Sequence, residues 1–159
     1  MTIVFVTFIA MTIEEEIKQG KFASEHQKMA VNIMFTSSWL NAGNISRLKP
    51  LGITPEQFNV LRILRGSHPK KLTLAEISSR MIDKSSNCTR LVEKLRVKGL
   101  VTREICAANR RQVEICVTEK GLELLKKIDE QTPAWLATLQ NLSQKEATDL
   151  NQLLDKLRG

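Results

Sequence analysis

Aromatic side chains are scarce in this sequence, which has five phenylalanines, two tryptophans and no tyrosine, 4% in all. Proteins that bind single-stranded nucleic acid stack the bases on aromatic side chains, so this composition argues against that class. The hydrophobic fraction of 42% and the charged fraction of 26% are those of an ordinary folded chain. At 159 residues the chain has room for about one domain.

The residue groupings of common enzymes and metal sites are also missing. The sequence has no glycine-rich phosphate loop, no Ser/His/Asp grouping and no clustered carboxylates. Its two histidines, His26 and His68, stand alone, and we interpret them as surface or capping residues. We therefore expect no enzyme activity, no catalytic residue, no cofactor and no metal ligand.

Cysteine is limited to Cys88, Cys106 and Cys116, an odd number without the spacing of a disulfide framework. Such usage fits a reducing compartment, so we expect a cytoplasmic protein with free, buried thiols. Cys106 and Cys116 fall on the two arms of a predicted hairpin but not opposite each other, so we expect no disulfide between them.

Residues 1–13 are apolar and uncharged, yet they have neither the length nor the flanks of a membrane segment. A spanning helix needs about 20 residues, and a secretory signal has a basic leader and a small-residue cleavage site. Because Met-Thr-Ile at 1–3 recurs at 11–13, Met11 is a candidate start. We interpret residues 1–13 as an apolar extension, a mis-set start or a dispensable arm, and expect no membrane partner.

Positive charge is concentrated in one part of the chain. Residues 70–111 contain eleven basic and four acidic residues, so they carry the whole formal net charge of +7. A solvated basic surface is one explanation, but dispersed charge would serve solubility equally well. An anionic partner such as nucleic acid is the second explanation.

Helix start signals punctuate the sequence. A long helix is predicted over about residues 22–47. Capping boxes, a Thr followed three residues later by Gln or Glu, predict the starts of two shorter helices at 54–57 and 73–76. The first of these should bury Phe58, Leu61 and Leu64. Thr118 should cap a helix over about 119–140, which Pro133 should kink or break, and residues 143–146 should open the last helix.

The middle of the chain has the pattern of a helix-turn-helix followed by a hairpin. Over residues 85–98, Cys88, Leu91, Val92 and Leu95 share one helical face, and polar residues occupy the other. This helix follows the one opened at 73–76 after a tight connection. Residues 101–106 and 112–117 then alternate in twos around a polar turn, which predicts a β-hairpin with Arg110 and Arg111 at its tip.

The order of these elements resembles the MarR family of bacterial regulators, most densely over residues 72–121. Residues 90–101 resemble the family's recognition-helix exit, and residues 117–121 resemble the entry of its second wing strand into the next helix. Asn109 departs from the pattern, because the family usually has an acidic residue there. An amide can only hydrogen-bond its basic neighbours, so the wing is expected to be held less firmly.

The resemblance implies a mainly α fold with a small β-hairpin wing, a winged helix-turn-helix with long N- and C-terminal dimerisation helices. It places one domain over residues 14–159, with a DNA-binding lobe over about 50–121 and dimerisation helices over about 14–49 and 122–159. The implied function is a homodimeric transcriptional regulator, a repressor in our interpretation, that binds a pseudo-palindromic operator in double-stranded DNA.

The expected DNA contacts follow from the same resemblance. The first turns of the second helix should enter the major groove, and the wing tip should enter the minor groove. Several of these residues also have ordinary roles: Ser85 as a helix cap, Arg90 as a surface arginine, and Arg110 and Arg111 as parts of a polar turn. The expected DNA-binding residues are Lys84, Ser85, Ser86, Asn87, Thr89, Arg90, Lys94, Arg110 and Arg111. Lys70 and Lys71 are further candidates for phosphate contacts.

The last helix carries an apolar stripe that includes Ala147 and, as expected dimerisation residues, Leu150, Leu153, Leu154 and Leu157. Packing against the preceding helix is the alternative for this stripe.

What controls DNA binding is left open between four interpretations. We favour release by a small aromatic or phenolic ligand held between the dimer region and the DNA-binding lobe, although a regulator without any ligand fits the sequence too. A thiol-responsive regulator would need a reactive cysteine near the N-terminal part of the fold, which the sequence lacks. A metal-responsive regulator would need closely spaced Cys and His ligands.

Overall fold

The computed structural model describes residues 11–105 and 113–159, and the chain divides into two compact units, one up to Pro50 and one over Leu51–Gly159. The first unit contains α1 (Ile13–Glu16) and α2 (Glu25–Leu48). Thr12 caps α1 in a reciprocal pair with Glu15, and Ile13 is buried, so these two residues of the apolar extension belong to a folded element. Lys28 of α2 forms an ion pair with Glu14 of α1 at 2.6 Å.

Helix α2 begins at a Ser24 cap and exposes most of its large apolar side chains. The exposed ones are Met29, Ile33, Met34, Phe35, Trp39 and Ile45. A short 3-10 helix, Lys49–Leu51, follows it.

The second unit contains five helices and a three-stranded sheet among its described residues. The helices are α3 (Pro55–Ser67), α4 (Leu74–Arg80), α5 (Cys88–Val97), α6 (Glu119–Ala137) and α7 (Gln144–Arg158). Thr54, Thr73 and Ser143 each cap a helix reciprocally with a Gln or Glu three residues later, as the sequence predicts.

The sheet contains β1 (Leu72–Thr73), β2 (Val101–Ile105) and β3 (Val113–Val117) in the antiparallel order β1-β3-β2. The predicted hairpin is therefore confirmed, with Val101 opposite Val117 and Ile105 opposite Val113. Strand β1 was not predicted, because two residues are too few for an alternating pattern to be recognised.

Helices α3 to α6 and the sheet enclose the core of the second unit. Its fully buried side chains include Val60, Leu61, Leu64, Leu72, Ile77, Val92, Leu95, Ile115, Leu125 and Ile128. Phe58 is only half-buried, contrary to expectation. At Gly121 in α6 a Cβ atom would lie 2.4 Å from the Leu100 carbonyl oxygen, so only glycine lets α6 pass this close to the sheet.

Three details of the helix predictions are corrected. The predicted recognition helix begins at Cys88 and not at Ser85, because Asn87 supplies the N-cap and the two preceding serines bond to Asp83. Ser85 is therefore not the helix cap. Helix α6 continues through Pro133, so the predicted break does not occur there.

None of the helices in the described ranges is long and apolar enough to cross a membrane.

Candidate nucleic-acid interface

The connection between α4 and α5 is fixed by side-chain hydrogen bonds. The Asn59 side-chain oxygen accepts from the Ile82 backbone N–H at 2.9 Å. Asp83 Oδ1 accepts from the Ser85 N–H at 2.8 Å and from the Ser85 hydroxyl at 2.7 Å, and Asp83 Oδ2 accepts from the Ser86 hydroxyl at 3.0 Å. These donors, Ser85 foremost, hold the pKa of the Asp83 carboxyl below its ordinary value.

Helix α5 begins at Asn87, whose side-chain oxygen accepts from the Arg90 backbone N–H at 3.0 Å. The oxygen of the Asn87 amide is thus engaged in the cap, and its NH₂ group is left as a donor. Thr89 and Arg90 follow in the first turn, and both are exposed.

The two faces of α5 are as predicted. Cys88, Val92 and Leu95 are buried and Leu91 is half-buried. On the exposed face the side chains of Arg90 and Lys94 make no hydrogen bond or ion pair with any residue that the structure describes. They are free to neutralise an anion.

Three other cations near α5 have partners in the protein. Arg96 pairs with Glu93 at 2.8 Å, and Arg80 donates to the Ser67 hydroxyl at 3.0 Å. Lys84, an expected phosphate contact, donates to the Ser79 carbonyl at 2.6 Å. An ammonium group has three donors, so Lys84 keeps the capacity to reach a phosphate.

Lys71 lies against the sheet and pairs with Glu104 of β2 at 2.5 Å. Glu104 stands opposite Glu114 of β3, and like charges in this position repel each other. Lys71 offsets that repulsion, and the bond to Glu104 raises the pKa of the Lys71 ammonium. Lys70 is more exposed and lies 3.9 Å from Glu76.

The C-terminal end of α5 is tied to the rest of the unit. The Lys98 ammonium donates to the Gly52 carbonyl and, at 3.3 Å, to the Gln57 side-chain oxygen. Lys120 donates to the Lys98 carbonyl at 2.9 Å, and the Thr118 hydroxyl donates to the carbonyl of the next residue, Gly99, at 2.8 Å. Cations on the last carbonyls of a helix also offset its dipole.

A cavity of about 420 Å³ opens beside this end of α5. Its apolar lining comes from Leu51, Ile53, Leu100 and Leu124, and its charged lining from Lys98, Lys120, Glu123 and Lys127. Lys98 caps α5 and Leu100 precedes β2, so an occupant would touch the residues that join α5 to the hairpin of β2 and β3.

Part of the predicted interface lies outside the described residues. Arg110 and Arg111 lie outside the described residues, as do Asn109 and Cys106, so the wing tip stays a prediction. Of the other cysteines, Cys88 is buried and burial raises the pKa of its thiol, whereas Cys116 is half-buried opposite Thr102. Within the described ranges no three His, Cys, Asp or Glu residues are grouped as metal ligands.

Helix α7 has no buried residue and carries a row of exposed leucines. Leu150, Leu153 and Leu157 are 45%, 63% and 51% exposed, and Leu154 and Ala147 are half-buried. Sequence spacing identified this stripe, and the structure adds that most of it faces solvent in a single chain.

Sequence reasoning missed the roles of Asp83 and Asn59. An aspartate followed by serines two and three residues later is a common hydrogen-bonded turn, so the signal for Asp83 was present. Asn59 acts on a residue 23 positions away, which no local pattern reveals.

Comparison with known proteins relates the sequence to bacterial transcriptional regulators. Residues 51–112 match the sequence model of the MarR family. YkoM, an uncharacterized HTH-type transcriptional regulator of Bacillus subtilis (strain 168), is 32% identical over 111 residues, which cover 67% of this chain and 71% of YkoM.

Two solved structures are similar in fold at low sequence identity. A variant of MarR from E. coli in complex with operator DNA has a TM-score of 0.75 and 24% identity, covering 87% of this chain and 99% of that one. An organohalide-sensing transcriptional regulator bound to 2,4-dichlorophenol has a TM-score of 0.77 and 19% identity, covering 88% and 85%.

Proposed function

The chain belongs to the MarR family of DNA-binding transcriptional regulators, and from this premise we propose that it is a homodimeric repressor of a pseudo-palindromic operator. In this proposal the exposed face of α5 and the connection before it enter the major groove. Its contacts are Lys84, Ser85, Ser86, Asn87, Thr89, Arg90 and Lys94, with Arg110 and Arg111 at the minor groove. The fold and the family are those of a transcription regulator, and we propose no enzymatic role.

One observation carries this assignment: Arg90 and Lys94 are exposed on α5 without a partner among the described residues. Cations of the same lobe such as Lys71 and Arg96 are paired with carboxylates. A free arginine in the first turn of a recognition helix can bind a guanine edge with two hydrogen bonds. A free lysine one turn later is placed for a phosphate.

Binding to the DNA upstream of the protein's own gene tests the proposal. Fluorescence anisotropy at about 0.15 M salt should give an affinity at least about 10³-fold tighter for the operator than for a scrambled duplex of equal composition. Equal affinity for the two duplexes would contradict the proposal.

The homodimer is supported by the exposed leucines of α7. A row of apolar side chains on a helix with no buried residue is stabilised by a second copy of the same surface. Two copies would place their recognition helices about 34 Å apart, one turn of DNA.

Light scattering on the purified protein tests the dimer. Leu153→Glu should shift the mass toward the monomer and weaken operator binding, whereas Gln152→Glu on the same helix should leave the mass at that of two chains. A Leu153→Glu protein that stays dimeric would remove this surface from the interface.

We also propose that a small aromatic or phenolic ligand releases the protein from DNA. The cavity beside the end of α5 supports this, because its volume of about 420 Å³ lies in the range of ligand pockets. A relative in fold binds 2,4-dichlorophenol, which is therefore the probe.

The probe should raise the melting temperature and weaken operator binding, and Leu124→Trp, which fills the cavity, should remove both effects. If the wild-type protein shows neither effect, the phenolic ligand is wrong. If both effects survive in Leu124→Trp, the site is elsewhere.

A further inference from the structure

An acidic residue stands at the entrance to the recognition helix. Asp83 is the only carboxylate in the sequence between Glu76 and Glu93, and it lies next to Lys84 in the most basic part of the chain. Its side chain is exposed, where it would repel the phosphates of a bound duplex. A charge that opposes binding in this position needs a separate reason to be there.

The hydrogen bonds of Asp83 supply that reason. An ionised carboxylate only accepts hydrogen bonds, so the hydroxyls of Ser85 and Ser86 must be the donors in their contacts of 2.7 and 3.0 Å. A serine hydroxyl has a single proton. With that proton directed at Asp83, each serine can offer an outside partner only its lone pairs.

The direction of these hydroxyls restricts what they can bind on DNA. Phosphate oxygens, guanine N7 and O6, and thymine O4 are all acceptors, and they need a donor. The exocyclic amino groups of adenine (N6) and cytosine (N4) are donors, and they need an acceptor. Serines held by Asp83 therefore match adenine or cytosine and mismatch the other groups.

We propose that Asp83 is a positioning residue that fixes Ser85 and Ser86 as hydrogen-bond acceptors, so that the entrance to α5 selects adenine or cytosine amino groups in the major groove. The inference rests on the proposed function, in which this end of α5 enters the groove. It changes the role of the two serines from general polar contacts to base readers, and it excludes them as phosphate contacts.

A purely structural role is the competing explanation. Asp83 also accepts from the Ser85 backbone N–H, and its carbonyl accepts from the Ser86 N–H at 3.3 Å, so it shapes the turn as well. Loss of a turn alone would weaken binding to every sequence equally. Loss of acceptor-only serines would change which bases are preferred.

Selection of binding sites from a randomised operator library separates the two. The wild type should enrich adenine or cytosine at the serine-contacted positions by about threefold to tenfold, because that is the ratio of affinities produced by one hydrogen bond. Asp83→Asn keeps the shape of the side chain but offers an NH₂ donor to one serine, which frees that hydroxyl proton. This variant should shift the preference toward guanine or thymine.

Two further arms complete the test. Ser85→Ala/Ser86→Ala should lose the preference, and adding Asp83→Asn to it should change base preference no further, because coupled residues are not additive. Replacing adenine by purine, which lacks the amino group, should weaken the wild type about threefold to tenfold and the double-alanine variant not at all.

Unchanged base preference in Asp83→Asn, or an equal loss on all sequences, would overturn the inference. Arg90→Ala, run beside it, keeps this outcome separate from the proposed function. If Arg90→Ala loses operator selectivity while Asp83→Asn keeps the wild-type preference, only the serine inference fails. If Arg90→Ala is as selective as the wild type, the placement of α5 fails.

Discussion

The two ends of α5 carry similar residues but use them differently. Arg90 in the first turn and Lys94 one turn later, both on the exposed face, have no partner among the residues described. At the C-terminal end, Lys98 and the adjacent Lys120 are bound to backbone carbonyls of the protein itself. Charge alone would count these cations together. Their hydrogen bonds divide them into a free set available to DNA and a fixed set that holds the helix.

We call the C-terminal end of α5, where Lys98 and Lys120 bind backbone carbonyls, the base of the helix. We call the exposed residues Arg90 and Lys94 its reading end. The base is secured by the Thr118 hydroxyl on the Gly99 carbonyl and by the close passage of Gly121 under Leu100. A side chain that contacts a base has to be held near its productive geometry by a rigid scaffold, and we propose that role for this base. Changes at the base should therefore cost stability, and changes at the reading end should cost DNA binding.

The largest effect is expected at Gly121. In Gly121→Ala the new Cβ atom would lie 2.4 Å from the Leu100 carbonyl oxygen and 2.7 Å from a Val117 methyl group. Since a backbone oxygen cannot move aside cheaply, the free energy of unfolding should fall by about 3 kcal/mol. Urea denaturation measures it.

Gly66→Ala is the matched control, because Gly66 lies within α3 with open space around its Cα. It should leave stability equal or raise it by about 0.5–1 kcal/mol through helix propensity. Equal stability in the two variants would show that the base is not closely packed.

The next effect is expected at Thr118, which caps α6 and donates to the Gly99 carbonyl at 2.8 Å. Thr118→Ala removes both hydrogen bonds and should lower the free energy of unfolding by about 1–2 kcal/mol. Thr118→Ser keeps the hydroxyl and should restore most of the loss. A serine variant as unstable as the alanine variant would show that the methyl group matters instead.

The smallest effect is expected at Lys94, in the free set. Lys94→Gln should weaken binding to any duplex by a few fold and reduce the salt slope of the binding constant by about 1. The free energy of unfolding should change by no more than about 0.5 kcal/mol.

Lys145→Gln on α7 is the control for Lys94→Gln, because it removes the same charge from another exposed lysine outside the expected DNA contacts. The Lys145 ammonium lies 3.8 Å from the Asp149 carboxylate. Its salt slope should equal that of the wild type. Equal slopes for all three proteins would place Lys94 away from the phosphates.

Local patterns predicted much of this architecture. The capping boxes at Thr54 and Thr73 start helices as predicted, and the alternation over residues 101–106 and 112–117 predicted that β2 and β3 pair as a hairpin. The MarR-like order of elements then predicted the family.

What escaped prediction depends on competition or on distant partners. Ser85, Ser86 and Asn87 are all good capping residues, and only the bonds to Asp83 decided that Asn87 caps α5. Lys71 pairs with Glu104, which lies 33 positions away. The sequence alone therefore could not show which cations are paired with a carboxylate and which are unpaired.

The most direct test of the central claim compares two arginines of the same helix. Arg90 is free and Arg96 is paired with Glu93, so the ratio of operator to scrambled-duplex affinity should fall about tenfold or more in Arg90→Ala, the cost of losing a base contact. In Arg96→Ala that ratio should stay close to the wild-type value. An equal fall in the two variants, or an unchanged ratio in Arg90→Ala, would contradict the assignment of the free end of α5 to DNA.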